Sequence, residues 1–152
     1  SIHSTMGWGA ELSGIVKFSY RKGVFDDIRF GYTYGSGISY YINDLRGMGL
    51  SAAPNKDNKM IPIPVMGAYV AYKHAWNKRA SSSAIFSFTS VDHSNIEDDL
   101  LFDYSSYGAI NYMWSPLDRL DFGLELIYGK NVNKIQDSGE GYRIQGMAIY
   151  HF

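Results

Sequence analysis

The chain has 152 residues, enough for one ordinary domain, and a formal net charge of −1. Bulk charge therefore gives no basis for nucleic-acid binding or for attraction to an acidic membrane surface. It has no cysteine, which excludes a disulfide framework, a thiolate metal site and a thiol nucleophile. Its 13 Tyr and 16 Gly beside only 4 Pro favour strands and turns, and no apolar run reaches the roughly 18 residues of a membrane-spanning helix.

Seven strands are predicted in chain order, at 8–20, 27–35, 65–76, 81–90, 102–114, 119–130 and 141–152. In the first, Trp8, Leu12, Val16, Phe18 and Tyr20 stand against Glu11, Ser13 and Lys17. The second opposes Ile28, Phe30, Tyr32 and Tyr34 to Asp27, Arg29, Gly31 and Thr33. The sixth is the cleanest: Leu120, Phe122, Leu124, Leu126 and Tyr128 share one face, with Asp121, Gly123, Glu125, Ile127 and Gly129 on the other. A helix would mix the acids with Leu124 and Tyr128, whereas a two-residue period separates them. The last strand sets Tyr142, Ile144, Gly146, Ala148 and Tyr150 against Arg143, Gln145 and His151 and ends on Phe152. An aromatic-terminated strand of this kind is the usual mark of a bacterial outer-membrane β-barrel.

The connections alternate in length. Those at 21–26, 77–80 and 115–118 are short, while 36–64, 91–101 and 131–140 are long and polar. Short periplasmic turns on one rim and long extracellular loops on the other describe an antiparallel transmembrane β-barrel. Single-chain bacterial barrels have an even strand count, so seven strands leave the two ends on opposite rims. Either a further strand lies within 38–60 or upstream sequence belongs to the barrel, and the second is favoured. No signal peptide is visible, and an opening on Ser1 is expected of a processed or excised product.

Aromatic spacing bears on which solvent the apolar face meets. Tyr104 and Trp114 lie about 23 Å apart along the membrane normal, as do Tyr142 and Phe152, and Trp8 and Tyr20 about 28 Å. An outer-membrane barrel carries an apolar band about 25 Å tall between two aromatic girdles. Trp76 and Trp114, each just before a short turn, are placed in the periplasmic girdle. Slipping the sixth strand by one residue would turn Asp121 and Glu125 toward lipid, which fixes its register. Glu11, Lys17, Asp27, Arg29, Lys73, Asn111, Asp121, Glu125, Arg143 and Gln145 are thus expected to point inward and line a pore.

The stretch Asn111-Tyr-Met-Trp-Ser-Pro-Leu-Asp-Arg-Leu-Asp-Phe-Gly-Leu-Glu-Leu-Ile-Tyr-Gly-Lys130, followed by Tyr142-Arg-Ile-Gln145 and the terminal Phe, resembles the C-terminal end of DcaP-like porins. Asp26-Asp-Ile-Arg-Phe-Gly-Tyr-Thr-Tyr-Gly-Ser-Gly37, Tyr72-Lys-His-Ala-Trp76 and the Arg79-Ala-Ser81 turn agree with it. The resemblance touches most of the chain from about Gly7 onward, and no single motif in it is diagnostic. It implies a sixteen-stranded, homotrimeric porin of Gram-negative outer membranes, of which this chain supplies the C-terminal portion. Its surroundings would be the lipid bilayer and lipopolysaccharide. Its solutes would be small and hydrophilic, with a preference for anions such as dicarboxylates, and it would need no cofactor. Met147 and Ile149 on the inward face are unusually apolar for a wetted lumen.

The inward cations Lys17, Arg29, Lys73 and Arg143 could form one wall of a ladder that attracts anions, or could pair with Glu11, Asp27, Asp121 and Glu125. The segment 36–64 is a candidate constriction loop, with Arg46, Lys56 and Lys59 near the eyelet, or an outward surface loop. His93-Ser94 with Glu97, Asp98 and Asp99 is the best local hydrolytic cluster, yet neighbours on a strand point apart and would meet only in a loop. Asp92 and the same acids could instead meet a divalent cation, while the histidines have no metal-ligand spacing. His74 shares parity with Tyr72 and Trp76 and is placed on the outer or subunit face. The expected protein is a porin and not an enzyme. The alternative is a small closed outer-membrane barrel with a structural, adhesive or lipid-hydrolysing role, its interior filled by side chains.

Overall fold

Two-residue alternation over long, turn-punctuated segments builds a single large antiparallel sheet. A computed structural model describes residues 5–21, 23–54, 59–93 and 102–152, apart from the side chains of Tyr20 and Arg21. Its strands are β1 (Trp8–Arg21), β2 (Val24–Ser36), β3 (Ala52–Pro54), β4 (Met60–Pro62), β5 (Pro64–Asn77), β6 (Ala80–Val91), β7 (Phe102–Leu117), β8 (Leu120–Asn133) and β9 (Ser138–Tyr150). Seven of them make the wall, in the order β1-β2-β5-β6-β7-β8-β9. All seven predicted strands are present. Observed strands reach or extend past the predicted bounds by up to a few residues, except that Arg119 precedes β8 and His151 and Phe152 lie beyond β9.

Residues 38–60 do not supply an eighth wall strand among the described residues. They contain β3 and part of β4, which pair only with each other in a separate two-stranded sheet. Among the described residues, β1 and β9 stand at opposite edges of the wall and are not paired with one another.

The short turns have local reasons. Gly23 takes φ of 78° between β1 and β2, a conformation that costs glycine little. At the β5–β6 turn the Asn77 side chain accepts the Arg79 amide at 2.7 Å, an Asx turn. Pro116 sits in the register shift that closes β7 onto β8, where a missing amide removes no ladder bond. These turns share one rim and the long segments the other.

Register across the wall separates two chemistries. Val16, Ile28, Tyr72, Ala84, Ile110, Leu126 and Ile144 are successive cross-strand partners, one from every wall strand. One residue further along each strand, the partners are Lys17, Asp27, Lys73, Ser83, Asn111, Glu125 and Gln145. The first row is apolar or aromatic throughout and the second polar throughout, on opposite faces of the pleat.

The buried core lies on the polar face, at the long-loop rim. The chain after β2 turns at Gly37, whose φ is 77°, and its amide donates to Ile63 O at 2.9 Å. Two single 3-10 turns, Ser39–Tyr41 and Asn43–Leu45, then carry Ile42 and Leu45 against Ile63, Val65, Val91 and Phe102. Val65, Gly67 and Val91 lie on the same face as Lys73, and a Cβ placed on Gly67 would contact Ile42. The face covered by this segment is called inner below. On the outer face Phe122, Leu124 and Leu126 are 40%, 56% and 44% exposed. So large an exposed apolar surface marks a face that meets lipid or other protein.

Candidate functional site: the inner face

Pleating brings the ten residues expected to point inward to one face. Glu11 lies in a row with Thr33, Gly67, Thr89, Ser105, Asn131 and Gly139. Lys17, Asp27, Lys73, Asn111, Glu125 and Gln145 share the polar row described above, with Ser83 added to them. Arg29 and Arg143 are the ends of an intervening stretch, Arg29-Ala71-Ile85-Ala109-Ile127-Arg143, whose middle is apolar. Asp121 faces Ile149, and Gly123 faces both Met113 and Met147. The thioethers close over Gly123, with Met113 Sδ 2.7 Å from where its Cβ would be. Around Gly123 the inner face of β7–β9 is accordingly greasy, while nearer the turn it carries Asp121 with Ser115 and His151.

Charges on this face are partly matched. Arg29 Nε donates to Asp27 Oδ1 at 2.7 Å. Gln145 Nε2 donates to Glu125 Oε2. Asp121 accepts the Ser115 hydroxyl at 2.5 Å and lies 2.9 Å from His151 Nε2. The Asn111 side chain accepts the Ser83 amide at 3.2 Å. Lys17 and Lys73 flank Asp27 as its direct partners on β1 and β5, and both ammonium-bearing residues are exposed.

The segment 36–64 folds across this face. Its polar anchor is Asp44, which sequence reasoning missed: Oδ2 accepts Ser105 Oγ at 2.9 Å and Thr89 Oγ1 at 3.3 Å. The candidate cations lie elsewhere on the segment. Arg46 is exposed, donates to Tyr40 Oη at 2.9 Å and stands 4.7 Å over the Tyr40 ring. Lys59 is exposed, and Lys56 falls outside the described residues.

A second polar cluster, also missed, lies on the outer face near the short-turn rim. Asp26 is 1% exposed. It accepts Tyr72 Oη at 2.5 Å and the Ala75 amide at 2.9 Å, and lies 2.8 Å from His74 Nδ1. The signal was present in the Asp26-Asp27 doublet, because two successive acids on a strand cannot share a face. His74 and Trp76 do lie on the outer face, with ring centroids 4.3 Å apart.

The hydrolytic cluster is not assembled among the described residues. Ser94, Glu97, Asp98 and Asp99 fall outside them. His93 is buried, and neither ring nitrogen has a hydrogen-bond partner there. Among the described residues no group of three or more His, Cys, Asp or Glu could hold a metal ion, and no helix is long and apolar enough to cross a membrane.

A long antiparallel meander with an apolar outer row beside a polar inner row, and a segment folded against the inner face, is the architecture of a porin-like wall. No protein-family model matches the chain, and no curated protein matches it in sequence. Among solved structures, the crystal structure of the outer membrane channel DcaP of Acinetobacter baumannii matches with a TM-score of 0.80 at 18% identity. The match covers 96% of this chain and 41% of the channel. The chain thus has the DcaP-like porin fold over its own length, and spans less than half of the solved channel.

Proposed function

We propose that this chain forms part of the wall of an outer-membrane porin, through which small hydrophilic solutes diffuse passively. The observation that carries the proposal is the pair of adjacent rows. An all-apolar row facing one way and an all-polar row facing the other, one residue apart, suit a wall between hydrocarbon and water. In this role the inner face of β1–β9 lines the lumen, with Glu11, Lys17, Asp27, Arg29, Lys73, Asn111, Asp121, Glu125, Arg143 and Gln145 as pore-lining groups. Further strands join β1 and β9 to close a larger barrel, of sixteen strands in the resemblance. The assembly is a homotrimer in contact with phospholipid and lipopolysaccharide. The wall does not act as an enzyme and binds no nucleic acid.

The pore prefers anions of the dicarboxylate kind. Support comes from the local balance on β1, β2 and β5, where Arg29 meets the Asp27 charge at 2.7 Å and leaves Lys17 and Lys73 facing solvent on either side of it. Charges in a narrow, low-dielectric passage act over longer distances than on an open surface. The segment anchored by Asp44 acts as the constriction.

Planar-bilayer recording of the intact protein tests the proposal. Stepwise ion currents, with reversal potentials in a salt gradient displaced toward anions, are expected. Absence of current from protein shown to be folded and inserted would refute the channel.

A further inference from the structure

The outer face is not uniformly padded. On β6 the outward residues nearest the short turn are Ala80, Ser82 and Ala84, all small. Tyr72 and Trp76 of β5 rise on one side and Ile110 and Tyr112 of β7 on the other, enclosing a trough of about 620 Å³. At a rise of roughly 3.3 Å per residue its small-residue floor, from Ser82 to Ala84, is about 7 Å long. Trp76 Nε1 donates to Ser82 Oγ at 2.8 Å, so the one hydroxyl on the floor is satisfied, and with Tyr72 Oη and His74 Nδ1 engaged by Asp26 the trough is mostly apolar.

That end is cationic. The β5–β6 and β7–β8 turns are tied together, since the Ser115 amide donates to Arg79 O at 2.8 Å and Arg79 Nη1 to Pro116 O at 2.9 Å. The one acid of these two turns, Asp118, is taken up by Arg79 Nη2 at 3.3 Å, and Asp26, farther along the outer face, is buried under Tyr72, His74 and the Ala75 amide. Lys78 and Arg119 remain, both exposed and with no ion pair among the described residues. In sequence, the stretch 91–101 between β6 and β7 holds four acids, Asp92, Glu97, Asp98 and Asp99, and no Lys or Arg.

We propose that the trough between β5 and β7 holds an acyl chain of an anionic phospholipid from the leaflet at the short-turn rim, with Lys78 and Arg119 on its headgroup phosphate. The assignment rests on the membrane-wall reading above. Hydrocarbon fills a dry groove whose floor lacks side chains of its own, and surface cations beside a membrane attract anionic headgroups. A second copy of the chain meeting this same face fits less well, since Lys78 and Arg119 of one would then approach the same cations of the other; the proposed homotrimer joins two different faces of each copy.

Native mass spectrometry of the intact, detergent-purified protein tests this with dioleoyl phosphatidylglycerol and dioleoyl phosphatidylcholine added in turn. Retention of phosphatidylglycerol should exceed that of phosphatidylcholine by roughly thirtyfold, the product of two surface cations. Ala84→Phe, which fills the trough from outside the lumen, should abolish bound lipid while leaving single-channel conductance unchanged. The double variant Lys78→Gln with Arg119→Gln should retain lipid and lose the preference. Equal retention of the two lipids by the wild type overturns the proposal and requires no variant to fold. Undiminished retention by Ala84→Phe overturns it as well, with Ser82→Leu as the substitute if that variant fails to show heat-modifiable mobility. Dissociation of an oligomer by either variant would assign the trough to a neighbouring copy instead. The outcomes separate from those of the channel: lipid retention without current sinks only the pore, and current without lipid preference sinks only this site.

Discussion

Asp44 Oδ2 accepts the Ser105 hydroxyl at 2.9 Å across 61 positions of chain, joining the segment after β2 to the middle of β7's loop-rim half. Beside it, Leu45 is fully buried against the wall. One residue contributes direction and the next contributes adhesion: a hydrogen bond fixes where the segment crosses, and apolar burial keeps it there. Asp44→Ala should leave the segment attached but free to shift, read as increased open-channel noise with little loss of thermal stability. Leu45→Ala should detach it, costing about 2–5 kcal/mol for a large-to-small change at a buried site and raising mean conductance. Equal conductance and noise in both variants would show that the segment does not narrow the passage.

Selectivity should follow the arithmetic around Asp27. Replacing Lys17 and Lys73 together by Gln leaves the Asp27–Arg29 pair, 2.7 Å apart, in place and removes two inner-face cations that the proposed pore places in its lumen. The reversal potential should move toward cations. Arg29→Gln should move it in the same direction for a different reason, since the Asp27 carboxylate then loses the guanidinium that meets its charge. Asp27→Asn should move it the opposite way. Measurement at low ionic strength gives the largest effect, because salt screens these charges within about 10 Å at 0.1 M. Unchanged potentials in all three variants would remove these residues from the conduction path.

The wall was legible because its information is local. Alternation in 119–130 specifies strand, face and register with no knowledge of any other strand, and Asp121 and Glu125 make a one-residue slip costly. The same reasoning placed ten inward residues on one face. What escaped was set by distance in the chain. Asp44 reads as one more acid in a polar loop until Thr89 and Ser105, 45 and 61 positions later, are brought to it. Asp26 is similar. Its alternation parity was readable, but its partners Tyr72, His74 and Ala75 lie more than 45 positions on. The two-stranded β3–β4 unit was missed because three-residue strands carry no period to detect.

The Asp26 cluster makes its own prediction. Tyr72 Oη, the Ala75 amide and His74 Nδ1 converge on one carboxylate that is 1% exposed on the apolar face. Hydrocarbon offers no replacement partner to these groups. Asp26→Ala should therefore lower the yield of heat-modifiable, folded protein on refolding into bilayers. Asp26→Asn, which keeps two acceptor positions on its oxygen, should be less harmful. Asp27→Ala, one residue along on the inner face, releases Arg29, whose side chain is half exposed and can turn to water, and should refold nearly as the wild type. A reversed order of Asp26 and Asp27 would mean that the faces are assigned the wrong way round.

The sharpest test of the two faces uses neighbours in β8. Leu126 belongs to the apolar row and Glu125 to the polar row, so the same kind of change should have opposite tolerance at adjacent positions. Leu126→Arg puts a charge into the hydrocarbon, at about 2–4 kcal/mol if the row lies near the bilayer midplane. It also removes one member of a row that is continuous over seven strands. Glu125→Arg exchanges one charge for another on a face that already carries Arg143 and Lys73, and releases Gln145 from its present acceptor. Urea titrations of the folded protein in vesicles should show a lower midpoint for Leu126→Arg and a midpoint close to wild type for Glu125→Arg. In conductance the order inverts: Glu125→Arg should displace the reversal potential toward anions, while Leu126→Arg, where it inserts, should conduct as the wild type does. Finding the stability loss at position 125 and the selectivity change at 126 would invert the wall.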